Sequence, residues 1–212
     1  MNRIKLGDIS NYINDSFKLG EGKEVSVYKY EDDKVLKIFH DERKSALSRL
    51  SEEGIVKLTE LDLKVFNKPI DTVVDGLDIR GYTEKYLEEK EINPELINYT
   101  NLKNDIITLS ENGFKIDDIF YNYIFTEDGF YFSDLTSFNY TKTDNSFLKK
   151  MFYRKNMELI NIFLIGLLEY DAYRKGSSNE YTKTLLANQF RLENHIDDIY
   201  GEYIGQELKK CF

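Results

Sequence analysis

Three observations predict an α+β chain with its strands and helices segregated along the sequence. Residues 17–39 and 63–87 carry strand-type alternation broken by short turns, with one helix-like stretch between them. Beyond residue 87 the pattern turns helical, and a single apolar hairpin interrupts it. No Gly/Ser/Pro-rich linker divides the chain, whose prolines are Pro69 and Pro94. The expected organisation is a β-rich lobe over residues 1–86 and a helical lobe over 87–212.

In order, Val25–Tyr30 alternates, Glu31–Asp33 turns, and Lys34–Phe39 alternates again. Asp41 to about Thr59 reads as a helix with Leu47, Leu50 and Leu58 on one face, weakened in its middle by Gly54. Strand character returns over 63–87 around an Asp75-Gly76 turn. Asn93 and Pro94 are a cap and a first helical residue, and Asn112-Gly113 closes that helix. Tyr123–Phe125 and Phe130–Phe132 flank Thr126–Gly129, a hairpin turn by composition. Tyr121, Tyr123, Phe130, Tyr131 and Phe132 read as hairpin and core packing. The last third is helical, with a loop at 175–179.

Charge and cysteine usage narrow the function. Thirty-eight Asp and Glu against 29 Lys and Arg give a net charge of −9. Such a surface repels phosphodiester backbones, and no run of Lys and Arg forms a basic patch, so nucleic acid is not expected as a partner. The histidines are His40 and His195 and the one cysteine is Cys211, which excludes a Cys/His zinc cluster and an internal disulfide. Both histidines read as surface residues. MNRIKLGDISNYIND lacks the apolar segment of a signal peptide. Leu159–Leu168 falls short of the roughly 20 residues that span a bilayer and reads as a buried helix. A cytoplasmic protein without a membrane partner is expected.

Several features fall in the order that phosphoryl transfer needs. Gly20 and Gly22 lie between two strand runs, where backbone without a side chain can approach a polyphosphate. Lys37 sits inside the apolar run VLKIF and needs an anionic partner, because a desolvated charge is costly. Asp117 and Asn122 stand five residues apart before the hairpin, and Asp134 follows it. A carboxylate, an amide oxygen and a second carboxylate around one hairpin can converge as hard oxygen ligands, which suit Mg²⁺ on phosphates.

With their order, these segments resemble the protein-kinase-like superfamily, in a minimal bacterial-type or aminoglycoside-phosphotransferase-like form. LGEGKEVSVY is similar to the glycine-rich loop, KVLKIF to the strand carrying the ATP-contacting lysine, ENGFKIDDIFYNYIF to the catalytic loop, and DGFYFSDLTSF to the hairpin ending at the DFG aspartate. The resemblance covers residues 17–138. It implies a two-lobed fold with ATP and Mg²⁺ (or Mn²⁺) as cofactors. Gly20, Gly22 and Val27 would then cover the nucleotide, and Lys37 would contact its α/β-phosphates. A helix glutamate would pair with Lys37; Glu52 and Glu53 both have suitable spacing, Glu53 being preferred. The segment with Glu84 and Tyr86 would join the lobes and receive adenine. Asp117 would be the catalytic carboxylate, with Asp118 its competitor, and Asn122 and Asp134 the metal ligands. Asn161 and Gly166 resemble positions of the central helix that buttresses the catalytic loop.

The departures are specific. Val25 replaces the third glycine, Lys115-Ile116 the histidine–arginine, and Ile119 a lysine that neutralises the transferred group. The DFG triplet reads Asp134-Leu135-Thr136, and no APE-like motif follows it. The expected function is transfer of the γ-phosphoryl group to a hydroxyl, of a protein Ser/Thr first and of a small molecule second. Alternatives are a pseudokinase that binds nucleotide or protein, and transfer of AMP.

Overall fold

Alternation in the first part of the chain builds one six-stranded sheet in the computed structural model, which describes residues 2–40, 44–119, 122–134 and 137–174. Its strands are β1 (Arg3–Lys5), β2 (Lys18–Glu21), β3 (Val25–Tyr30), β4 (Lys34–Phe39), β5 (Asp71–Asp75) and β6 (Asp78–Lys85), in the order β1-β5-β6-β4-β3-β2. β1 runs parallel to β5 and the other neighbours are antiparallel. The expectations placed on the Leu47 side chain, Tyr121, Leu135, Thr136, the 175–179 loop, His195 and Cys211 lie outside the described residues.

The alternation gives the sheet two faces. On one, Leu36 and Val73 pack against Ile9 of a 3₁₀ helix at Leu6–Tyr12. The other carries Val25, Phe39 and Tyr82 into the main core. Gly81 on β6 has no substitute: a Cβ there would lie 2.1 Å from the Lys37 carbonyl oxygen on β4.

Helix α1 (Lys44–Glu60) breaks at Ser51, which has φ 59° and ψ 160°. The break starts a fresh helical segment, because Ser51 Oγ accepts a hydrogen bond from Gly54 N at 3.1 Å and Glu52 and Glu53 occupy its first turn. Gly54 therefore does not merely weaken the helix. A Cβ on it would sit 2.7 Å from Tyr140 Cβ, so the glycine lets α1 close on the strand that carries Tyr140.

Asn93 and Pro94 open only a 3₁₀ turn, Pro94–Leu96. Helix α2 (Tyr99–Glu111) has its own cap, Asn98, whose side chain accepts from Asn101 N at 2.9 Å. Asn112 and Gly113 end it as expected, Gly113 at φ 86° and too close to the Thr141 carbonyl oxygen for any side chain. Two small ladders follow, β7 (Phe114–Ile116) with β10 (Phe138–Tyr140), and the expected hairpin of β8 (Tyr123–Phe125) and β9 (Phe130–Phe132). Phe130 and Phe132 are buried and Tyr123 packs against the same core, as expected of the hairpin aromatics.

Helix α3 (Ser146–Arg174) buries Phe152, Met157, Ile160, Phe163, Leu164, Leu167 and Leu168. One apolar core runs without interruption from Val25 on the sheet to Leu168 on α3. Phe66, between α1 and β5, stacks on Phe132 at 4.9 Å and ties the sheet side to the hairpin. No helix among the described residues is long and apolar enough to cross a membrane.

Candidate functional site

Register aligns the residues of the glycine-rich strand pair with Lys37. Gly20 opposes Val27, Val27 opposes Lys37, and Lys37 opposes Tyr82, so these positions form one row on the core-facing side of the sheet. Lys37 is 7% exposed, as the apolar run around it demands. Its partner is not on α1. Lys37 Nζ lies 2.7 Å from Oε1 of Glu84, two residues beyond Tyr82 on the neighbouring strand. Glu53 instead pairs with Lys142 at 2.6 Å on the surface, and Glu52 accepts from Ile79 N at 3.1 Å. The expected helix partner is corrected: β-sheet register, not helix spacing, supplies the carboxylate.

Glu84 is 2% exposed and its Oε2 is buried with no hydrogen-bond partner. Burial pushes its carboxyl up, Lys37 opposes that, and the charge of Asp134 adds to it, leaving the group at about 7. Lys37 also donates to the Ser133 carbonyl, the residue before Asp134. A relay of backbone bonds sets this corner. Asp105 of α2, itself raised by burial, accepts from Lys64 N and Val65 N at 2.8 and 2.7 Å. Val65 O then accepts from Phe132 N, and Phe132 O from Asn67 N, both at 2.7 Å. Ser133 N donates to Asn122 O at 3.0 Å, which places Asn122 across from the residue preceding Asp134.

Asp117 follows β7 directly. Its N–H donates to Ser137 O at 2.9 Å, its Oδ1 meets Lys115 Nζ at 2.6 Å, and its Oδ2 accepts from the Asn139 amide of β10. The β7–β10 ladder thus holds it from both strands. Asn156 of α3 supports the ladder from beneath. It is fully buried, accepts from Ile116 N at 2.8 Å, and donates to Ser110 Oγ and Phe114 O, both at 3.0 Å. Asn156 therefore buttresses the ladder; Asn161 is also buried on α3, while Gly166 is exposed and a Cβ on it would meet nothing. The signal was present in the sequence: Phe152, Asn156 and Ile160 recur every four residues, so Asn156 is a polar side chain at a core position.

Other expected residues have mixed surroundings. Gly20 lies within β2 and Gly22 in the tight turn to β3, where Gly22 N donates to Val25 O at 2.8 Å. A Cβ on Gly20 would touch nothing within 4 Å, and one on Gly22 only Val25 O at 3.5 Å, so internal packing does not require either glycine. At the joining segment, Tyr86 N donates to Asp33 O at 2.7 Å and Lys85 O accepts from the Asn67 side chain at 2.8 Å. Backbone expected to meet adenine is thus already paired within the protein. His40 is half-buried rather than a bare surface residue, its Nε2 lying 2.8 Å from Ser26 Oγ.

No protein-family model matches the chain, and no curated protein matches it. Among the described residues, no three His, Cys, Asp or Glu side chains gather as a metal cluster. Asn122 and Asp134 offer one amide and one carboxylate, too few for a bare ion. They are of the kind Mg²⁺ takes when phosphate oxygens complete its shell. Lys37 beside them, and the uncrowded backbone of Gly20 and Gly22 in the same region of the sheet, fit the phosphates of such a ligand.

Proposed function

We propose that the protein binds a nucleoside triphosphate with Mg²⁺ in a two-lobed, kinase-like cleft and transfers the γ-phosphoryl group to a hydroxyl. The observation that carries this reading is the contact of Lys37 with the Ser133 carbonyl. It sets a buried cation against the residue that precedes Asp134, and that residue's N–H in turn donates to the Asn122 backbone carbonyl. Asn122 and Asp134 would hold the metal, whose chemistry is to neutralise charge on the phosphates. Lys37 would orient the α/β-phosphates. Asp117 would accept the hydroxyl proton: each oxygen has one partner, and a carboxylate has lone pairs to spare. The acceptor is a protein Ser/Thr or a small-molecule hydroxyl, and the setting is cytoplasmic.

One observation favours a second reading, a nucleotide-binding module without transfer. Ile119 is 1% exposed and lies in the core, so its position offers no cation to the transferred group. Lys115 beside Asp117 is the nearby alternative.

The deciding experiment is transfer from labelled ATP to the protein itself, to a cell lysate and to a panel of small hydroxyl acceptors. Wild type is expected to label at least one acceptor, and Asp117→Asn none. If wild type labels nothing beyond that variant while still binding MgATP, the module replaces the enzyme.

A further inference from the structure

We infer that Glu84 is the positioning residue for Lys37, holding the ammonium at the Ser133–Asp134 corner for a triphosphate, in place of any carboxylate on α1. The inference rests on the nucleotide reading above.

The glutamates of α1 are engaged elsewhere, Glu52 with Ile79 N and Glu53 with Lys142, whereas Glu84 meets Lys37 directly. Glu84 and Lys37 stand on hydrogen-bonded neighbouring strands, and both side chains are at least nine-tenths buried. An ammonium so enclosed has few ways to orient. Glu84 Oε1 holds one of its three N–H bonds and the Ser133 carbonyl another, so the remaining one is available to a phosphate oxygen. Glu84 differs from an ordinary surface partner in that its second oxygen is buried without a hydrogen-bond partner. Leaving an acceptor so placed is destabilising, which marks the residue as kept for something besides stability. The pair is set by strand register, so its assembly does not depend on where α1 sits.

The test is calorimetric binding of MgATP, of magnesium tripolyphosphate and of adenosine, which lacks phosphates, to wild type, Glu84→Gln, Glu84→Asp, Glu53→Gln and Lys37→Gln. Expected for Glu84→Gln is a loss of about tenfold or more in affinity for both triphosphates, one charge-assisted contact's worth, with adenosine unchanged. Glu84→Asp, which keeps the charge on a shorter arm, should recover part of it, and Glu53→Gln should bind as wild type. Added to Lys37→Gln, the Glu84→Gln change should cost nothing further. The inference is overturned if Glu84→Gln binds triphosphate as wild type does. Equal losses for adenosine, which mark a merely structural role, or full additivity with Lys37→Gln would also overturn it. Wild type that binds no triphosphate at all removes the nucleotide reading and this inference together.

Discussion

Two of the lysine–carboxylate pairs have similar lengths in opposite surroundings. Lys37–Glu84, at 2.7 Å, is enclosed between the sheet and the hairpin, with side chains 8% and 3% exposed. Lys115–Asp117, at 2.6 Å, is open, at 39% and 33%. Distance alone would rate them equal. Desolvation separates them: the enclosed pair must offset the cost of two buried charges, whereas water screens the open one. Stability and pH response therefore depend far more on the enclosed pair than on the open one.

The largest expected effect comes from breaking the enclosed pair. Glu84→Ala strands the Lys37 charge and should lower unfolding stability by about 3–5 kcal/mol, read by urea denaturation. A loss below about 1 kcal/mol would mean that Lys37 reaches water.

The pH response comes next. Glu84 faces Lys37 of β4, whose ammonium also lies over the Tyr82 ring, and the charge of Asp134 after β9. Its carboxyl is at about 7 in the native state against 4.5 when free, so the native state binds the additional proton between those values. Its contribution is thus fully present below pH 4.5 and declines as pH rises through 7. The loss is up to about 3 kcal/mol, the shift multiplied by ~1.4 kcal/mol per unit. Unfolding measured from pH 5 to 8 should show that decline in wild type and a flatter profile in the Lys37→Met/Glu84→Gln double variant. Identical profiles would place the titrating group elsewhere.

Asn156→Ala tests whether the open pair depends on buried support. It removes partners from Ile116 N, Phe114 O and Ser110, with an expected cost of about 2 kcal/mol. Faster amide exchange should be confined first to β7 and β10. Exchange that rises evenly through the chain would contradict the local role. The smallest stability effect is that of Asp117→Asn, under about 1 kcal/mol in thermal unfolding. Its transfer activity should nevertheless fall by ~10²–10⁴.

The contrast also explains what was legible in the sequence. β3, β4 and the β8–β9 hairpin could be read because alternation and turn residues lie within a few positions of one another. β1, β7 and β10 are three residues each and exist only through distant partners: β1 pairs with β5, and β7 meets β10 across the hairpin. Too few positions carry a period. The break in α1 at Ser51 is not legible, and only a weakening at Gly54 is, because the capping signal, Ser51 followed by two glutamates, lies inside a longer helical pattern. Within the site, Lys37 announced itself as a charge in an apolar strand. Glu84 did not, since a partner chosen by cross-strand register has no fixed spacing in sequence. Asn122 and Asp134 were read from the hairpin between them, whereas the support from Asn156 required knowing which face of α3 is buried.

The unbroken core from Val25 to Leu168 limits how the two halves can breathe. Parting them would wet Phe66, Phe132 and Phe138, whose rings interlock across the seam at 4.9 and 5.7 Å. Full exposure of each such side chain costs roughly 1.5–3 kcal/mol. A wide jaw-like opening is therefore costly. Heating should melt sheet and helices in one calorimetric transition rather than two.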